Sequence, residues 1–237
     1  GCSALVLIAL VLPVAVLVYW STEGIAGGAV SAKIVGALAA NSLMTAAFAA
    51  LAGGACALVI ALLAGRFPGA VSRTLERMSH AGYALPGIVV ALALVYFATR
   101  AVAPVYQTLT LLVFALTVHY LPLGIGPITA ALGQVSPRVE EAARGLGRGP
   151  LEVFRTITAP LLRGGILAGA ALVFLHAIKE LPATLILAPI GFETLATEIW
   201  NQTTFGFYEA SAIPSLVLLA IAAPPLYLLS ERGTVSS

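Results

Sequence analysis

Six apolar segments dominate this chain, at about Ala4–Tyr19, Ser42–Gly65, Tyr83–Thr99, Val105–Gly126, Leu162–Leu187 and Ala212–Leu229. Each is close to the roughly 20 residues an α-helix needs to cross the hydrocarbon core of a bilayer. Lipid offers no water to a free N–H or C=O. A crossing segment must therefore satisfy its own backbone, which makes these segments helices and not isolated strands. The alternating pattern of a membrane barrel is absent. The first segment is short and contains Pro13. No basic stretch precedes it and no clean small-residue cleavage site follows it, so it reads as a membrane helix and not as a signal peptide.

Composition points the same way. Of 237 residues, 60% are hydrophobic and 9% charged, against about 25% charged in soluble domains. That rules out an ordinary soluble domain, and so much apolar surface rules out disorder. A net charge of +2 supplies no basic field for nucleic acid. Cys2 and Cys56 are the two cysteines, too few for a disulfide framework. The expected fold class is all-α: a polytopic bundle of about six transmembrane helices, forming a single transmembrane domain over residues 1–237.

The basic residues are distributed unevenly. Arg66, Arg73 and Arg77 lie between spans two and three. Arg138, Arg144, Arg148, Arg155 and Arg163 lie between spans four and five, and Arg232 lies in the tail. In a six-span topology these nine of the twelve basic residues share one side. The positive-inside rule makes that side cytoplasmic, together with both termini. Small residues crowd span two at Ala46–Ala55 and span five at Gly164, Gly165, Ala168, Gly169, Ala170 and Ala171. They let membrane helices approach closely, so the spans are expected to form a tight bundle.

The most polar stretch runs from Gln134 to Leu161. Ser136 suits an N-cap and Pro137 the first helical position. Val139, Ala142, Ala143 and Leu146 fall at helical spacing on one face, and Glu140 and Arg144 form an i,i+4 pair on another. Gly145, Gly147 and Gly149 are expected to end this helix. Pro150 starts a second one, with Leu151, Phe154 and Ile157 on one face and Pro160 closing it. The reading is a helix–glycine turn–helix outside the membrane. On spacing alone it is an amphipathic interfacial connector.

Glu141-Ala142-Ala143, three residues, Gly147, nine residues, Ile157 and then Pro160 resemble the EAA motif of ABC-importer permeases, with Ala159 where that motif has Leu. The resemblance extends over roughly Ser42–Leu229. It implies the type I importer permease fold and a cytoplasmic coupling loop at residues 134–161 that docks into a separate ATPase. Glu140, Glu141, Ala142, Ala143, Gly147 and Pro160 are then the expected ATPase-coupling residues. Lys179–Leu187 and Gly191–Thr197 resemble the ferric-iron importer permeases, often long chains with two six-helix halves. With Gly1 as its first residue and one EAA segment, the chain is expected to be the C-terminal half of such a permease. The implied partners are an ABC ATPase dimer, a periplasmic or extracellular solute-binding protein, a second permease half or copy, and membrane lipid. The implied location is the inner membrane. Molybdate, thiamine or polyamine are the alternative substrates. An intramembrane enzyme or a structural membrane subunit is the alternative class.

Chemistry-bearing residues are few. No Walker pattern, HExxH or nucleophile elbow occurs, so ATP chemistry belongs to a partner. No cofactor is expected. Glu180 is ionisable within an apolar segment, which reads either as a functional position or as an interfacial acid facing water. Counting up from Arg163 at the helical rise puts it about 25 Å away, near the outer end of span five. His176 lies one turn earlier, where it can pair with Glu180, and Lys179 can snorkel outward. Pro182 frees the carbonyl of Ile178, so a kink or unwinding is expected there. His176, Glu180 and Pro182 are the translocation-path candidates. No iron cage is visible: ferric iron favours several oxygen ligands, and of these only Glu180 lies near the path. His119 and Tyr120 sit in span four beside Leu121-Pro122.

The charge bias generates a topology test. Cysteines introduced as Arg73→Cys and Arg144→Cys should react with an impermeant thiol reagent only after cells are permeabilised. Labelling in intact cells would invert the assignment.

Overall fold

The structure is a computed structural model. It describes residues 2–26 and 31–234, and the side chains of residues 7–26 and 31–230. The side chain of Arg232, counted above among the tail charges, lies outside that set. The helices are α1 (Cys2–Ala26), α2 (Ala32–Arg66), α3 (Ala70–Ala84), α4 (Gly87–Ala101), α5 (Leu109–Gly133), α6 (Pro137–Gly145), α7 (Pro150–Val153), α8 (Ala159–Ala177), α9 (Pro182–Leu187), α10 (Leu195–Thr204) and α11 (Tyr208–Thr234). A 3₁₀ turn at Ala103–Val105 precedes α5, and a π-helical turn at Phe154–Thr158 joins α7 to α8. Among the described residues five helices are long and apolar enough to cross a membrane, and the bent pair α3–α4 raises the number to six.

Helices α2, α5 and α8 pack against one another at the centre. Their core is built largely from small residues: Ala46, Ala49 and Ala50 of α2, Ala115 of α5 and Ala177 of α8, filled in by Leu112, Leu116 and Val173. Large apolar side chains such as Leu51, Phe114, Leu167 and Leu226 point outward. This arrangement suits a lipid surround, where association depends on close van der Waals packing and not on hiding leucines from water. A Cβ at Gly169 would lie 2.7 Å from the carbonyl oxygen of Gly124, and one at Gly165 would lie 2.7 Å from that of Pro127. The small residues of span five are thus the surface on which α5 and α8 touch. Around this centre, α3 packs on α5, α4 on α9, α10 on α11 and α2, and α1 on α11.

Helix ends shift from the expected segments, as where α2 starts at Ala32 and not at Ser42, and three differences are of kind. Span three is not one helix over Tyr83–Thr99: α3 and α4 meet at 108°. Leu85 precedes a proline and is extended, with φ −86° and ψ 141°, because the proline ring disfavours the helical region for the residue before it. Span five is also not continuous to Leu187. α8 stops at Ala177 and α9 restarts on Pro182, the unwinding that Pro182 led us to expect. Pro160, in turn, does not close the second short helix. The chain runs from α7 through the π turn into α8, where Pro160 occupies the first turn. The Ala159 N–H reaches back to the Phe154 carbonyl. That wider turn absorbs the ring and its missing donor without a stop. The sequence reading also missed α10, whose amide at Leu195 donates to Ser42 Oγ on α2 at 2.8 Å.

The α5–α8 contact leaves no room for a side chain. Gly169→Leu should force the two helices apart and cost about 1–3 kcal/mol. A lower melting temperature of the purified protein in detergent would report this. An unchanged value would show that the contact is dispensable.

Candidate functional site

Two regions hold the candidate polar side chains. The first lies where the two helix breaks meet. Tyr120, halfway along α5, donates its hydroxyl to Oε2 of Glu180. Oε1 of Glu180 accepts from the Ala183 N–H at 3.2 Å, and the Glu180 carbonyl accepts from the Thr184 hydroxyl at 2.9 Å. Glu180 therefore caps α9, supplying acceptors where the α8 ladder has ended. A Cβ at Gly87 would lie 2.8 Å from Glu180 Oε1. Gly87 opens α4, so the absence of a side chain lets the carboxylate approach a helix N-terminus, where free N–H groups and the helix dipole favour negative charge.

Aromatic rings enclose this point. The ring centroids of His119 and Tyr120 are 4.6 Å apart, those of Tyr120 and His176 5.6 Å, and those of Tyr83 and Tyr120 6.5 Å. His119 Nδ1 lies 3.1 Å from the Gly82 carbonyl and His176 Nδ1 lies 2.9 Å from the Leu172 carbonyl. A carbonyl only accepts, so both imidazoles carry a proton on Nδ1. The sequence reading put Glu180 near the outer end of span five, where His176 could pair with it. The carboxylate instead turns into the bundle toward the middle of α5, His176 bonds its own helix, and Lys179 is exposed. Tyr120 was the missed partner. Its one signal in the sequence is a polar hydroxyl inside an apolar run. Pro182 is exposed and heads α9. No group of three or more His, Cys, Asp or Glu side chains able to hold a metal occurs among the described residues.

The second region is the arginine-rich end. Ser136 precedes Pro137, which starts α6 as the spacing suggests. The turn after α6 requires φ +88° at Gly147, a left-handed conformation that costs L-residues with a Cβ roughly 1–2 kcal/mol. Most of the face read as apolar points outward: Leu146 is 84% exposed and Val139 47%, with Leu151 beyond the turn at 68%. Glu141 and Ala142 are exposed beside them, while Ala143 is buried.

Glu140 points the other way and is 6% exposed. Its Oε1 accepts from Arg66 Nε at 3.2 Å, from an Arg66 terminal nitrogen at 3.0 Å and from the Thr158 hydroxyl at 3.1 Å. The same Arg66 nitrogen donates to the Val135 carbonyl at 3.0 Å. The i,i+4 contact with Arg144 exists, at 3.7 Å to Oε2, but it is the weaker partner. Arg66 and Thr158 were not singled out by the sequence. A lone arginine ending a long apolar helix was the available signal.

Residues 57–231 match the family described as "Binding-protein-dependent transport system inner membrane component". The chain is 32% identical over 231 residues to the Fe(3+)-transport system permease protein FbpB 2 of Haemophilus influenzae, covering 97% of this chain and 46% of that protein. It is 35% identical over 131 residues to a probable molybdenum ABC transporter permease protein of Haloferax volcanii, covering 55% of this chain and 48% of that one. It thus spans about half the length of each. Among solved structures, the MetNI methionine ABC transporter in an inward-facing form matches with a TM-score of 0.66 at 16% identity, covering 88% of this chain and all of the matched chain. That likeness supports the fold.

The Tyr120–Glu180 contact generates a prediction. Tyr120→Phe keeps the ring and removes the donor, leaving a partly buried carboxylate short of one bond, at a cost of about 1–3 kcal/mol. Thermal unfolding in detergent should show the loss. Wild-type stability would mean that the hydroxyl contributes nothing to holding the breaks together.

Proposed function

Because the chain belongs to the family of binding-protein-dependent transport system inner membrane components, we propose that it forms the permease domain of an ABC importer for ferric iron. It is a multi-pass membrane protein, with five or six apolar helices among its described residues. In this reading a solute-binding protein delivers the ion from outside, and a second permease half or copy completes the path. A separate ATPase dimer drives the alternation.

One observation carries the coupling assignment. Outside the spans, at the arginine-rich end, α6 and the turn at Gly147 leave Val139, Leu146 and Leu151 uncovered. Apolar side chains on a short, otherwise polar segment call for a protein partner. A groove in the ATPase that takes this face would cover them, with Glu141 at the rim. The arginine-rich end is then cytoplasmic. Glu140 serves this surface from behind, by holding α6 to the bundle.

The iron assignment rests on identity to the Haemophilus Fe(3+) permease along almost the whole chain, and on a second ferric permease, FbpB of Actinobacillus pleuropneumoniae, at 25% over 183 residues. Among the described residues no group of three or more His, Cys, Asp or Glu side chains could hold a metal, which suits conduction: an ion held strongly would not leave. The His176–Glu180–Pro182 break is the place where the path can change shape, since α9 is joined to α8 without a continuous hydrogen-bond ladder. The molybdenum relative, and a sulfate permease of Salmonella typhimurium at 30% over 187 residues, favour an oxyanion as the second reading.

Glu141→Lys and Gly147→Asp should each leave the protein in the membrane and lower uptake of radioactive iron from ferric citrate by at least about thirtyfold, as loss of an interface hot spot does. Uptake at the wild-type level in both variants would remove the coupling role. Uptake of molybdate or sulfate, with no iron uptake, would move the assignment to the second reading.

A further inference from the structure

We propose that the buried Arg66–Glu140–Thr158 cluster is the joint that passes a displacement of α6 to the ends of α2 and α8, which makes Arg66 and Glu140 positioning residues of the transport cycle. The inference deepens the coupling reading above and rests on it. It starts from connectivity. Glu140 lies on α6, Arg66 ends α2, and Thr158 closes the π turn that feeds α8. Val135, also held by Arg66, lies in the turn between α5 and α6. One carboxylate and one guanidinium therefore tie α6 to every central helix at this end.

The tie is stiff for three reasons. Oε1 of Glu140 takes three hydrogen bonds from two chain segments, so it has no alternative rotamer that keeps them. The guanidinium is a planar fork and binds two acceptors at fixed angles. The pair also sits beside a small apolar cluster of Leu132, Val135 and Leu162, flanked by Leu58, Leu62 and Ile166, which keeps water from competing for the bonds. Their side chains are only 14% and 8% exposed for Arg66 and Glu140. A buried pair of this kind is weak evidence for stability, because desolvation offsets much of the attraction. What it supplies is geometry.

The alternative is that α6 hangs on flexible connections. Gly147 and Gly149 on one side and Gln134 on the other would then absorb a push from the ATPase. The cluster bypasses these connections. It also grips the α7–α8 rod at its π turn, where the wider turn and Pro160 already interrupt the regular ladder. A push on α6 therefore arrives where α8 bends most readily.

The test uses the assembled transporter, purified with its ATPase and reconstituted in proteoliposomes loaded by a ferric-iron binding protein carrying radioactive iron. The readouts are ATPase retained, ATP hydrolysed and iron transported per ATP. Glu140→Gln keeps the shape and removes the charge; Arg66→Lys keeps the charge and removes the fork. Both are expected to retain the ATPase and to hydrolyse ATP, while iron transported per ATP falls about tenfold, within the range reported for residues along coupling routes. Thr158→Val, which loses only a hydroxyl, should lower the ratio about twofold to threefold by the same reasoning. It carries the test if either charge variant fails to reach the membrane. A wild-type ratio in Glu140→Gln, or in Thr158→Val where that variant stands in, would overturn the proposal. So would loss of the ATPase from Glu140→Gln, which would make the cluster a support for the docking surface alone. If the unmodified chain retains no ATPase, the coupling reading itself fails and this inference fails with it. That outcome is seen before any variant is made.

Discussion

Lipid cannot hydrogen-bond a backbone, and this one constraint organises the structure. A helix may break inside the bundle only where protein groups take over the orphaned donors and acceptors. Each interruption here is paired with such a substitute. At the α8–α9 break, the Glu180 side chain accepts from the Ala183 N–H and the Thr184 hydroxyl returns to the Glu180 carbonyl. At the α3–α4 bend, His119 bonds the Gly82 carbonyl near the end of α3, and the N–H groups of Val89 and Val90 turn back to the Pro86 carbonyl. At the π turn, the Ala159 N–H reaches Phe154 and the Thr156 hydroxyl takes the Glu152 carbonyl at 2.7 Å. Glu180 and His119 thus act where the helices stop being regular.

The same constraint explains how the two polar regions differ. Glu180 lies between helix termini and is held by a phenol and a backbone amide, with no ion pair to it among the described residues. Helix dipoles and donors take the place of a counter-ion. Glu140 lies at the end of the bundle, close to water, where a full arginine charge can be carried. The first arrangement brings two broken spans together, at Gly87 and Glu180. The second joins a surface helix to three spans from below. Between them lies the small-residue contact of α5 on α8, which allows no side chain larger than hydrogen at Gly169.

Much of the fold was legible because membrane helices announce themselves by length and composition. The six apolar segments, the close-packing glycines, the proline unwinding at Pro182 and the short helix at Pro137 all rest on local rules. The misses were also physical. A run of apolar residues contains Tyr83 through Thr99 without saying that Leu85-Pro86 turns the chain through 108°. Pro160 reads as a stop, since sequence alone does not show that a π turn can absorb it. The helix α10 is short and only half apolar, and its start is fixed by a cap at Thr194 and by Ser42 from a distant helix.

What the sequence determined by itself was the class of solvent and the motif that carries the family resemblance. Charge scarcity and segment length demand a bilayer, and the spacing from Glu141 to Pro160 is written in consecutive residues. What only the tertiary structure decided was which way each polar side chain faces. Glu140 and Glu141 are neighbours with the same chemistry, yet one is buried on Arg66 and the other is exposed, because a helix turns by about 100° per residue and its docking chooses the face. Glu180 could have met His176 or Lys179 on its own segment. It met Tyr120 because the chain stops being helical just before it, and a side chain freed from helical geometry takes the partner that packing brings near. Pairings across sixty or seventy residues depend on how α2, α5 and α8 close on one another, and local sequence rules carry no record of that closure.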